Sequence, residues 1–450
     1  MRIAFHTLGC KVNQYETEAM KEAFVLRDAE IVSEEEPADV YVVNTCTVTN
    51  IADRKSRQYI RRMKKLSPDA LMVVTGCYAQ VAADEVASIE EVDLVIGNGL
   101  KSGICDAVFK AVADNHVSCA KNVLERSCLV EYEDMGLVES SESGLTRAYV
   151  KIQEGCDRFC SYCMIPFARG TVRSRSVEDV VLEARTLIDK GFREIVLTGI
   201  NTALYGTEEG FCYERIDGED GFSPMEVILS RINAIDGDFR MRLSSLEPTV
   251  VDKEHVEKII RFDKLCHHLH LSVQSGSTSV ISRMNRHYTR EEYLEIVKAI
   301  RAFNPLYGLT TDIIVGFPGE TEEEFEDSVS IVREACFEKV HAFRYSRRKG
   351  TRADAMKDQI PGIVKSDRIE RLMNVADEVS HEFERMNFET VHKVLSEERV
   401  GDFVTGYTDN YIKVYIEDRN HELKTGEFCY TKLTGFCNDG CTAVVVEKGR

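Results

Sequence analysis

Residues 1–100 repeat one pattern three times, and this repeat limits the possible folds more than any other feature of the chain. Each copy is an apolar strand, a cysteine directly after it, and then a stretch with helical spacing of apolar residues. Such alternation predicts a doubly wound parallel sheet. The cysteines and the helical stretches that follow them are Cys10 with 14–26, Cys46 with 52–66, and Cys77 with 84–89.

These three cysteines occupy equivalent positions in the expected sheet. The loops after parallel strands gather at one edge, which is where ligands bind in such folds. A small apolar residue at the end of a strand explains one such cysteine well, but it explains three poorly. The pattern therefore favours a site built from three thiolates that are far apart in sequence.

The same alternation returns between residues 148 and 345, where amphipathic helical patterns such as 177–190, 249–262 and 290–303 separate six apolar segments. Six strand–helix units predict a partial barrel and not a closed eight-stranded one. Barrel enzymes carry their functional groups at the carboxyl ends of the strands. The expected strands are 148–153, 193–199, 239–245, 268–274, 309–315 and 339–345.

A tight loop with three cysteines follows the first of these strands. Three residues separate Cys156 from Cys160, and two separate Cys160 from Cys163, so the three thiols can converge on one metal centre. Thiolates select zinc or iron–sulfur clusters, and both take four ligands, so three cysteines leave one position open for a small molecule. A zinc knuckle and a chance group of thiols are the alternatives.

Length and composition describe an ordinary globular protein. The 450 residues are enough for two or three domains with cores of their own. No apolar run approaches the length of a membrane span, and the first residues resemble a strand more than a signal sequence. We therefore expect a cytoplasmic protein without a membrane partner. Its fifteen cysteines are then expected to bind metal or to be buried, and not to form disulfides.

The net charge of −19 argues against uniform adhesion to nucleic acid, but two local segments are basic. One is the helix at 53–65, and the other is the loop that follows the last expected barrel strand. Both can meet phosphate groups. A solvated helix face and a salt-bridged loop are the alternatives. The candidate cations are Arg57, Arg61, Arg347, Arg348 and Lys349.

The last part of the chain predicts a third unit. A long helical stretch at 366–387 precedes five short segments rich in β-branched and aromatic residues, which predict a small β-barrel. Residues 131–146 are acidic and are expected to form a linker, and no role is assigned to the acidic, Gly-rich insertion at 203–222. The short segments are 390–395, 402–407, 411–416, 427–433 and 442–447. The expected domains are 1–130, 147–385 and 386–450.

Several motifs resemble known families. The cysteine loop, with Tyr162 directly before its last cysteine, resembles the radical S-adenosylmethionine enzymes. The segments TLGCKVNQYETE, NTCTV and GCYAQ around the three N-terminal cysteines resemble the methylthiotransferases, as does the run YSRRKGTRA at 345–353. The C-terminal segments resemble the TRAM domain, an RNA-binding module. The first motif is most similar to that of the enzymes that modify threonylcarbamoyladenosine in tRNA.

The resemblance implies two 4Fe-4S clusters and S-adenosylmethionine as cofactors. Cys156, Cys160 and Cys163 would hold the cluster whose fourth iron binds the methionine part of S-adenosylmethionine. Cys10, Cys46 and Cys77 would hold an auxiliary cluster that carries the sulfur to be donated. Tyr162 would lie beside the adenine of the cofactor. The strand-end residues that would border the cofactor, or that instead cap helices or pair inside the barrel, are Gly199, Asn201, Arg242, Ser244, Glu247 and Gln274.

The resemblance also implies a reaction. One S-adenosylmethionine would methylate sulfur on the auxiliary cluster, and a second would be cleaved reductively to a radical that activates carbon 2 of the adenine. The implied partners are the tRNA anticodon stem-loop and an electron donor such as a flavodoxin, with a monomeric enzyme. Isopentenyladenosine in tRNA and a ribosomal-protein aspartate are alternative substrates. A noncatalytic iron–sulfur or zinc protein that binds RNA is the alternative from another class.

Overall fold

A computed structural model describes residues 1–114, 119–137, 146–248 and 252–448. Most of the expected linker at 131–146, namely residues 138–145, lies outside the described residues. Residues 249–251, at the start of the expected helix at 249–262, also lie outside them.

The N-terminal part is a doubly wound parallel sheet, as the strand–helix alternation predicts. Its strand order is β2-β1-β3-β4-β5-β6, and every pairing is parallel. The strands are β1 Arg2–Thr7, β2 Glu30–Val32, β3 Val40–Thr45, β4 Leu71–Gly76, β5 Leu94–Ile96 and β6 Ala120–Asn122. The helices are α1 Lys11–Val25, α2 Asn50–Leu66, α3 Cys77–Val81, α4 Ala83–Ala87 and α5 Ile104–Ala113.

The central strands of this sheet explain why the sequence forms it. β3 and β4 are buried along their whole length, as expected for parallel strands that are covered by helices on both faces. The sheet has three more strands than the sequence pattern predicts, because β2, β5 and β6 have only three residues each. Such short segments carry too few residues to show a clear periodicity.

The central part forms a partial barrel. Strands β7, β9, β10, β11, β12 and β13 follow one another in parallel, with β10 and β11 joined by isolated bridges at Met241–Leu265 and Leu246–Leu271. A short antiparallel strand, β8, was not predicted. The strands are β7 Arg147–Glu154, β8 Arg173–Ser174, β9 Glu194–Gly199, β10 Arg240–Leu243, β11 His268–His270, β12 Gly308–Val315 and β13 Lys339–Arg344.

Helices cover the outside of this partial barrel, and the six strands expected from the sequence are all confirmed. Most of the buried apolar residues between strands and helices form one large cluster. The helices are α6 Ile165–Arg169, α7 Val177–Asp189, α8 Pro224–Asn233, α9 Lys253–Ile259, α10 Thr278–Arg283, α11 Arg290–Phe303 and α12 Glu322–Ala335.

The C-terminal part is a closed five-stranded β-barrel, with strand order β14-β15-β16-β18-β17. The long helix α13, Gly362–Met386, leads into it. All five strands expected from the sequence are confirmed. They are β14 Val391–Val400, β15 Phe403–Thr408, β16 Lys413–Glu417, β17 Phe428–Cys437 and β18 Gly440–Lys448.

The C-terminal barrel packs against the amino ends of the partial-barrel strands. Arg240, the first residue of β10, donates hydrogen bonds to the carbonyl oxygens of Lys393 at 3.4 Å and Tyr407 at 3.1 Å. The ring of Tyr411 stacks on that of His268, with centroids 4.5 Å apart. The loop with three cysteines follows the carboxyl end of β7. The C-terminal barrel therefore closes the end of the partial barrel opposite to the cysteines.

Candidate active site

A cavity of about 640 Å³ lies between the N-terminal sheet and the carboxyl ends of the partial-barrel strands. One wall comes from the loop after β1 and the start of α1, including Gly9, Cys10 and Lys11. The opposite wall comes from the loops after β7, β9, β10 and β11. The two loops that sequence analysis singled out for their cysteines thus face each other across one space.

The loop after β7 places all three of its cysteines on the cavity wall. Gly155 adopts a φ of +72°, and a Cβ there would lie 1.7 Å from the carbonyl oxygen of Thr171, so only glycine fits this turn. The side-chain amide of Asn285 donates to the carbonyl oxygens of Arg158 at 3.2 Å and Phe159 at 3.1 Å. The loop is therefore held from outside by two other segments of the barrel.

The thiols of this loop are half-buried. Burial raises the pKa of Cys156 to about 12 and raises the pKa values of Cys160 and Cys163 as well. The Nη1 of Arg286 lies 3.6 Å from the Sγ of Cys160 and opposes this effect. Iron binds the thiolate form of cysteine, so binding of a cluster would release protons and leave negative charge that Arg286 can balance.

Cys10, Cys46 and Cys77 follow β1, β3 and β4, which are neighbours in the sheet. A Cβ at Gly9 would lie 2.7 Å from the Cβ of Cys46, so the first two cysteine loops touch. Burial, followed by the nearby thiol of Cys77, raises the pKa of Cys46 to about 12. Cys10 lines the cavity, whereas the other two cysteines are buried behind it.

A buried ionic cluster joins this second group of thiols to the barrel. The Nε of Arg169 lies 3.2 Å from the Sγ of Cys77, and its Nη1 contacts the carboxylates of Glu16 and Glu154. Lys101 and Lys151 also pair with these carboxylates. Arg173 lies 3.9 Å from Glu154, so four cations face two carboxylates, and the excess positive charge lies where thiolates would form on metal binding.

The donor sets fit iron–sulfur clusters. Fe–S clusters take cysteine thiolates as ligands, and each group offers three. Within the described ranges, no three His, Cys, Asp or Glu side chains stand close enough to hold one metal ion. A 4Fe-4S cluster does not require its ligands to meet at one metal ion, because each cysteine binds a different iron atom of the cluster.

Most of the residues expected to border S-adenosylmethionine line the cavity. Buried oxygens of two of them, Asn201 Oδ1 and Ser244 Oγ, have no hydrogen-bond partner among the described residues. Because buried polar atoms are nearly always paired, these two atoms indicate a polar ligand. The Nδ2 of Asn201 donates to Glu247 at 2.6 Å, and Arg158 lies 3.4 Å from the same carboxylate. The residues that line the cavity as expected are Tyr162, Gly199, Asn201, Ser244, Glu247 and Gln274.

Arg242 does not reach the cavity. Its Nε and Nη2 each lie 3.2 Å from an oxygen of Glu194, the first residue of β9. Arg242 shares a strand face with Arg240, which binds the same carboxylate, and both side chains lean toward the amino end of the barrel. The structure therefore places Arg242 in a buried ion-pair network beneath the cavity instead of beside a ligand.

The cations expected to meet RNA differ in their surroundings. Arg57 donates to the Tyr78 hydroxyl at 2.7 Å and to Glu85, and Arg61 lies 3.8 Å from Glu91.

In the loop after β13, Arg348 is buried and pairs with Asp53 of α2 at 2.8 Å, which fixes this loop to the N-terminal sheet. A buried, paired guanidinium is not presented to phosphate. Arg347, which pairs with Asp354, and Lys349 are exposed.

Sequence reasoning did not single out four cations of this site, namely Lys11, Arg158, Arg169 and Arg286. Lys11 and Arg158 lie beside expected cysteine ligands, and that proximity is a usable signal. Burial, together with the guanidiniums of Arg242 and Arg147, lowers the pKa of Lys11 to about 8. Nothing in the local sequence marks the other two.

Comparisons with known proteins agree with this geometry. Residues 2–97 match the model of an uncharacterized protein family, UPF0004, and residues 150–332 match that of the radical SAM superfamily. The threonylcarbamoyladenosine tRNA methylthiotransferase MtaB of Bacillus subtilis is 40% identical over 418 residues, covering 92% of this chain and 89% of the relative. The chain belongs to the radical S-adenosylmethionine methylthiotransferases.

Other members of the methylthiotransferase family are also similar. The tRNA-2-methylthio-N(6)-dimethylallyladenosine synthase of Finegoldia magna is 33% identical over 454 residues, covering 98% of this chain and 94% of the relative. Among solved structures, the radical S-adenosylmethionine methyltransferase TsrM from Kitasatospora setae has a TM-score of 0.58 at 14% identity, covering 78% of this chain and 77% of that one. The latter likeness shows a shared fold. In the part of this methylthiotransferase that the structure describes, no helix has the length and apolar character of a membrane span.

Proposed function

We propose that this methylthiotransferase acts on tRNA and adds a methylthio group to carbon 2 of N6-threonylcarbamoyladenosine beside the anticodon. The observation that carries the reaction class is the single cavity whose opposite walls hold Cys10 and the Cys156 loop. The substrate assignment is supported by the relatives. Four that are named threonylcarbamoyladenosine methylthiotransferases are 34–40% identical, and the similarity covers 90–99% of this chain.

The two groups of cysteines would have different chemical roles. Cys156, Cys160 and Cys163 would hold one 4Fe-4S cluster, and Cys10, Cys46 and Cys77 a second. When bound, the first cluster with S-adenosylmethionine supplies a carbon radical, and the second supplies sulfur. A radical is needed because carbon 2 of adenine bears an unactivated hydrogen that no side-chain base removes.

The protein side chains would bind and orient the organic cofactor. The unpaired oxygens of Asn201 and Ser244 face the cavity and can accept hydrogen bonds from its hydroxyl or ammonium groups. Glu247, held by Asn201 and Arg158, adds a carboxylate to the same wall. Tyr162 packs edge-on against Phe317, with centroids 6.5 Å apart, and can form an apolar wall for the adenine.

An exposed basic face lies next to the cavity. The ion pair between Arg348 and Asp53 brings the loop after β13 beside the first turn of α2. Arg347 and Lys349 on the loop are therefore close to exposed cations of that helix, Arg54 and Lys55. We propose that this face binds the phosphates of the anticodon stem-loop. Val48, just before α2, lines the cavity, so a base flipped out of its stack would enter there.

The decisive experiment is mass spectrometry of nucleosides from tRNA incubated anaerobically with reconstituted protein, S-adenosylmethionine and a reductant. Separate tRNAs would carry threonylcarbamoyladenosine or isopentenyladenosine. A methylthio mass gain on threonylcarbamoyladenosine alone is the expected result. A gain only on isopentenyladenosine would contradict the substrate assignment, and cofactor cleavage without gain on either would point to a protein substrate such as a ribosomal aspartate.

A noncatalytic RNA-binding role is tested by metal analysis. Zinc without iron, or clusters that never cleave S-adenosylmethionine, would favour that role. The flavodoxin-like electron donor, the monomeric state, the cytoplasmic location and the domain limits 1–130, 147–385 and 386–450 stay predictions.

A further inference from the structure

Lys11 is a charged residue of the cavity wall that has no obvious role in holding either cluster. It follows Cys10 directly and is the first residue of α1. Its side chain lines the cavity, and within the described ranges its ammonium group has no hydrogen-bond or salt-bridge partner. A partly buried cation without a partner is costly, unless a ligand supplies the missing anion.

The other charged side chains of the same wall are already paired. Arg158 and Arg286 both lie within 4 Å of Glu247, at 3.4 and 3.7 Å. Asp312 accepts from the Ser272 hydroxyl at 2.9 Å and lies 3.1 Å from the Nε2 of His270. Among the charged residues that line the cavity and that the structure describes, Lys11 alone lacks a partner.

The groups behind Lys11 add positive charge without offering it a partner. Arg242 and Arg147 lie near its ammonium group, and both pair with Glu194. A third guanidinium, from Arg240, shares that carboxylate at 2.6 Å. Arg147 also pairs with Glu397, so three guanidiniums face two carboxylates and leave one excess positive charge below the cavity. This part of the cavity therefore favours an anion over a neutral or apolar group.

We propose that Lys11 binds the carboxylate of the threonylcarbamoyl group and so selects this substrate, an inference that rests on the proposed function. At neutral pH the substituent on N6 of threonylcarbamoyladenosine ends in a carboxylate. The corresponding substituent of isopentenyladenosine, a dimethylallyl group, is a hydrocarbon. A carboxylate would pair with the ammonium group of Lys11. A hydrocarbon would cover it and leave it unpaired, which is unfavourable in a partly buried site. Lys11 would thus both attract one substrate and disfavour the other.

The test compares two RNAs on the same protein. One is an anticodon stem-loop that carries threonylcarbamoyladenosine, and the other is the same RNA with the carboxylate converted to its methyl ester. Fluorescence anisotropy gives the Kd of each RNA for the reconstituted holoenzyme. We expect the wild-type protein to bind the acid at least about tenfold more tightly than the ester, a typical effect of losing one charged hydrogen bond.

Two variants of Lys11 and one control assign this preference to the residue. K11M is expected to bind both RNAs with the affinity that the wild type has for the ester, and K11R is expected to keep most of the preference. Gln14 lines the same cavity from the same helix, so Q14M is the matched control and should keep the ratio of the two Kd values. A K11M protein that still prefers the acid would overturn the inference.

The wild-type comparison needs no variant to fold, so equal binding of acid and ester by the wild type also overturns it. S-adenosylmethionine has a carboxylate of its own. If K11M weakens binding of this cofactor, measured by calorimetry, and keeps the preference for the acid RNA, Lys11 serves the cofactor and the inference fails. The proposed function fails in a different way, namely when the wild type methylthiolates only the isopentenyl nucleoside.

Discussion

The Nε of Arg169 lies 3.2 Å from the Sγ of Cys77, although the two residues are separated by 92 positions. Arg169 belongs to the partial barrel and Cys77 to the N-terminal sheet region. Arg169 ends α6, the helix that follows the Cys156–Cys163 loop, and Cys77 begins α3 of the N-terminal part. One guanidinium therefore connects the surroundings of both groups of thiols. Its other nitrogens contact Glu16, Glu154 and Asn13.

We expect R169M to lose the auxiliary cluster before the other one. The change removes the cation that balances Cys77 thiolate and leaves Glu16 and Glu154 with less positive charge. Breaking a buried ion pair in this way costs about 3–5 kcal/mol. Iron and sulfide analysis of the reconstituted variant should show a loss of roughly half of the iron. R169K, which keeps the charge, should retain more iron, and full occupancy in R169M would contradict the assigned role.

Substitution of a cysteine in each group should abolish a different activity. C160A should abolish cleavage of S-adenosylmethionine, because that cluster would lose one of its three protein ligands. C46A should leave some cleavage but no methylthiolation, because only the sulfur-carrying cluster is affected. Chromatography of 5′-deoxyadenosine measures the first activity, and nucleoside mass spectrometry measures the second. Full activity in either variant would show that the substituted cysteine is not a ligand of its proposed cluster.

The cysteines show what the sequence alone can predict. Cys10, Cys46 and Cys77 follow three apolar strands, and parallel strands must bring their carboxyl ends together, so their meeting requires no knowledge of side-chain contacts. The six strands of the partial barrel and the five of the C-terminal barrel follow from the same local patterns. The short strands β2, β5, β6 and β8 do not, since two or three residues carry no period.

The partners of long charged side chains are harder to predict. Arg348 pairs with Asp53, which is 295 positions away, and Arg242 pairs with Glu194 on a neighbouring strand. The sequence shows that these arginines lie near functional loops, but a flexible side chain turns toward the nearest opposite charge in three dimensions. Arg348 and Arg242 were therefore expected at ligand sites, and the structure places them in buried ion pairs.

Gly308 tests the contact between the partial barrel and the C-terminal barrel. A Cβ at this position would lie 2.1 Å from the backbone carbonyl oxygen of Asn410, so G308A must push the two units apart. We expect a lower melting temperature by calorimetry and faster proteolysis of the C-terminal barrel. Gly362 is the matched control, because a Cβ there meets nothing within 4 Å. G362A, at the start of α13, should be neutral or slightly stabilising.

Glu194 predicts a pH dependence of stability. Burial opposes its ionisation, but Arg242, Arg240 and Arg147 together hold the pKa of this carboxylate well below its ordinary value. A depressed pKa in the folded state contributes stability that is fully present above the unfolded-state pKa of about 4.3 and is lost as the pH falls below it. Acid should therefore weaken the contact between the strands of the barrel and the C-terminal barrel.

The variant E194Q separates this contribution from that of other carboxylates. It leaves the buried guanidiniums of Arg240 and Arg242 without their carboxylate, and Arg147 with Glu397 alone, so the melting temperature at pH 7 should fall, with a cost of about 3–5 kcal/mol. The difference between E194Q and the wild type should shrink as the pH is lowered from 5 toward 3, because the unfolded wild-type chain then takes up a proton at Glu194 that the folded protein does not. E30Q is the control. Glu30 is exposed and forms a long ion pair of 3.8 Å with Arg2, and such exposed pairs contribute about 0–1 kcal/mol. An E194Q protein with the wild-type melting temperature at pH 7 would show that the three arginines do not depend on this carboxylate.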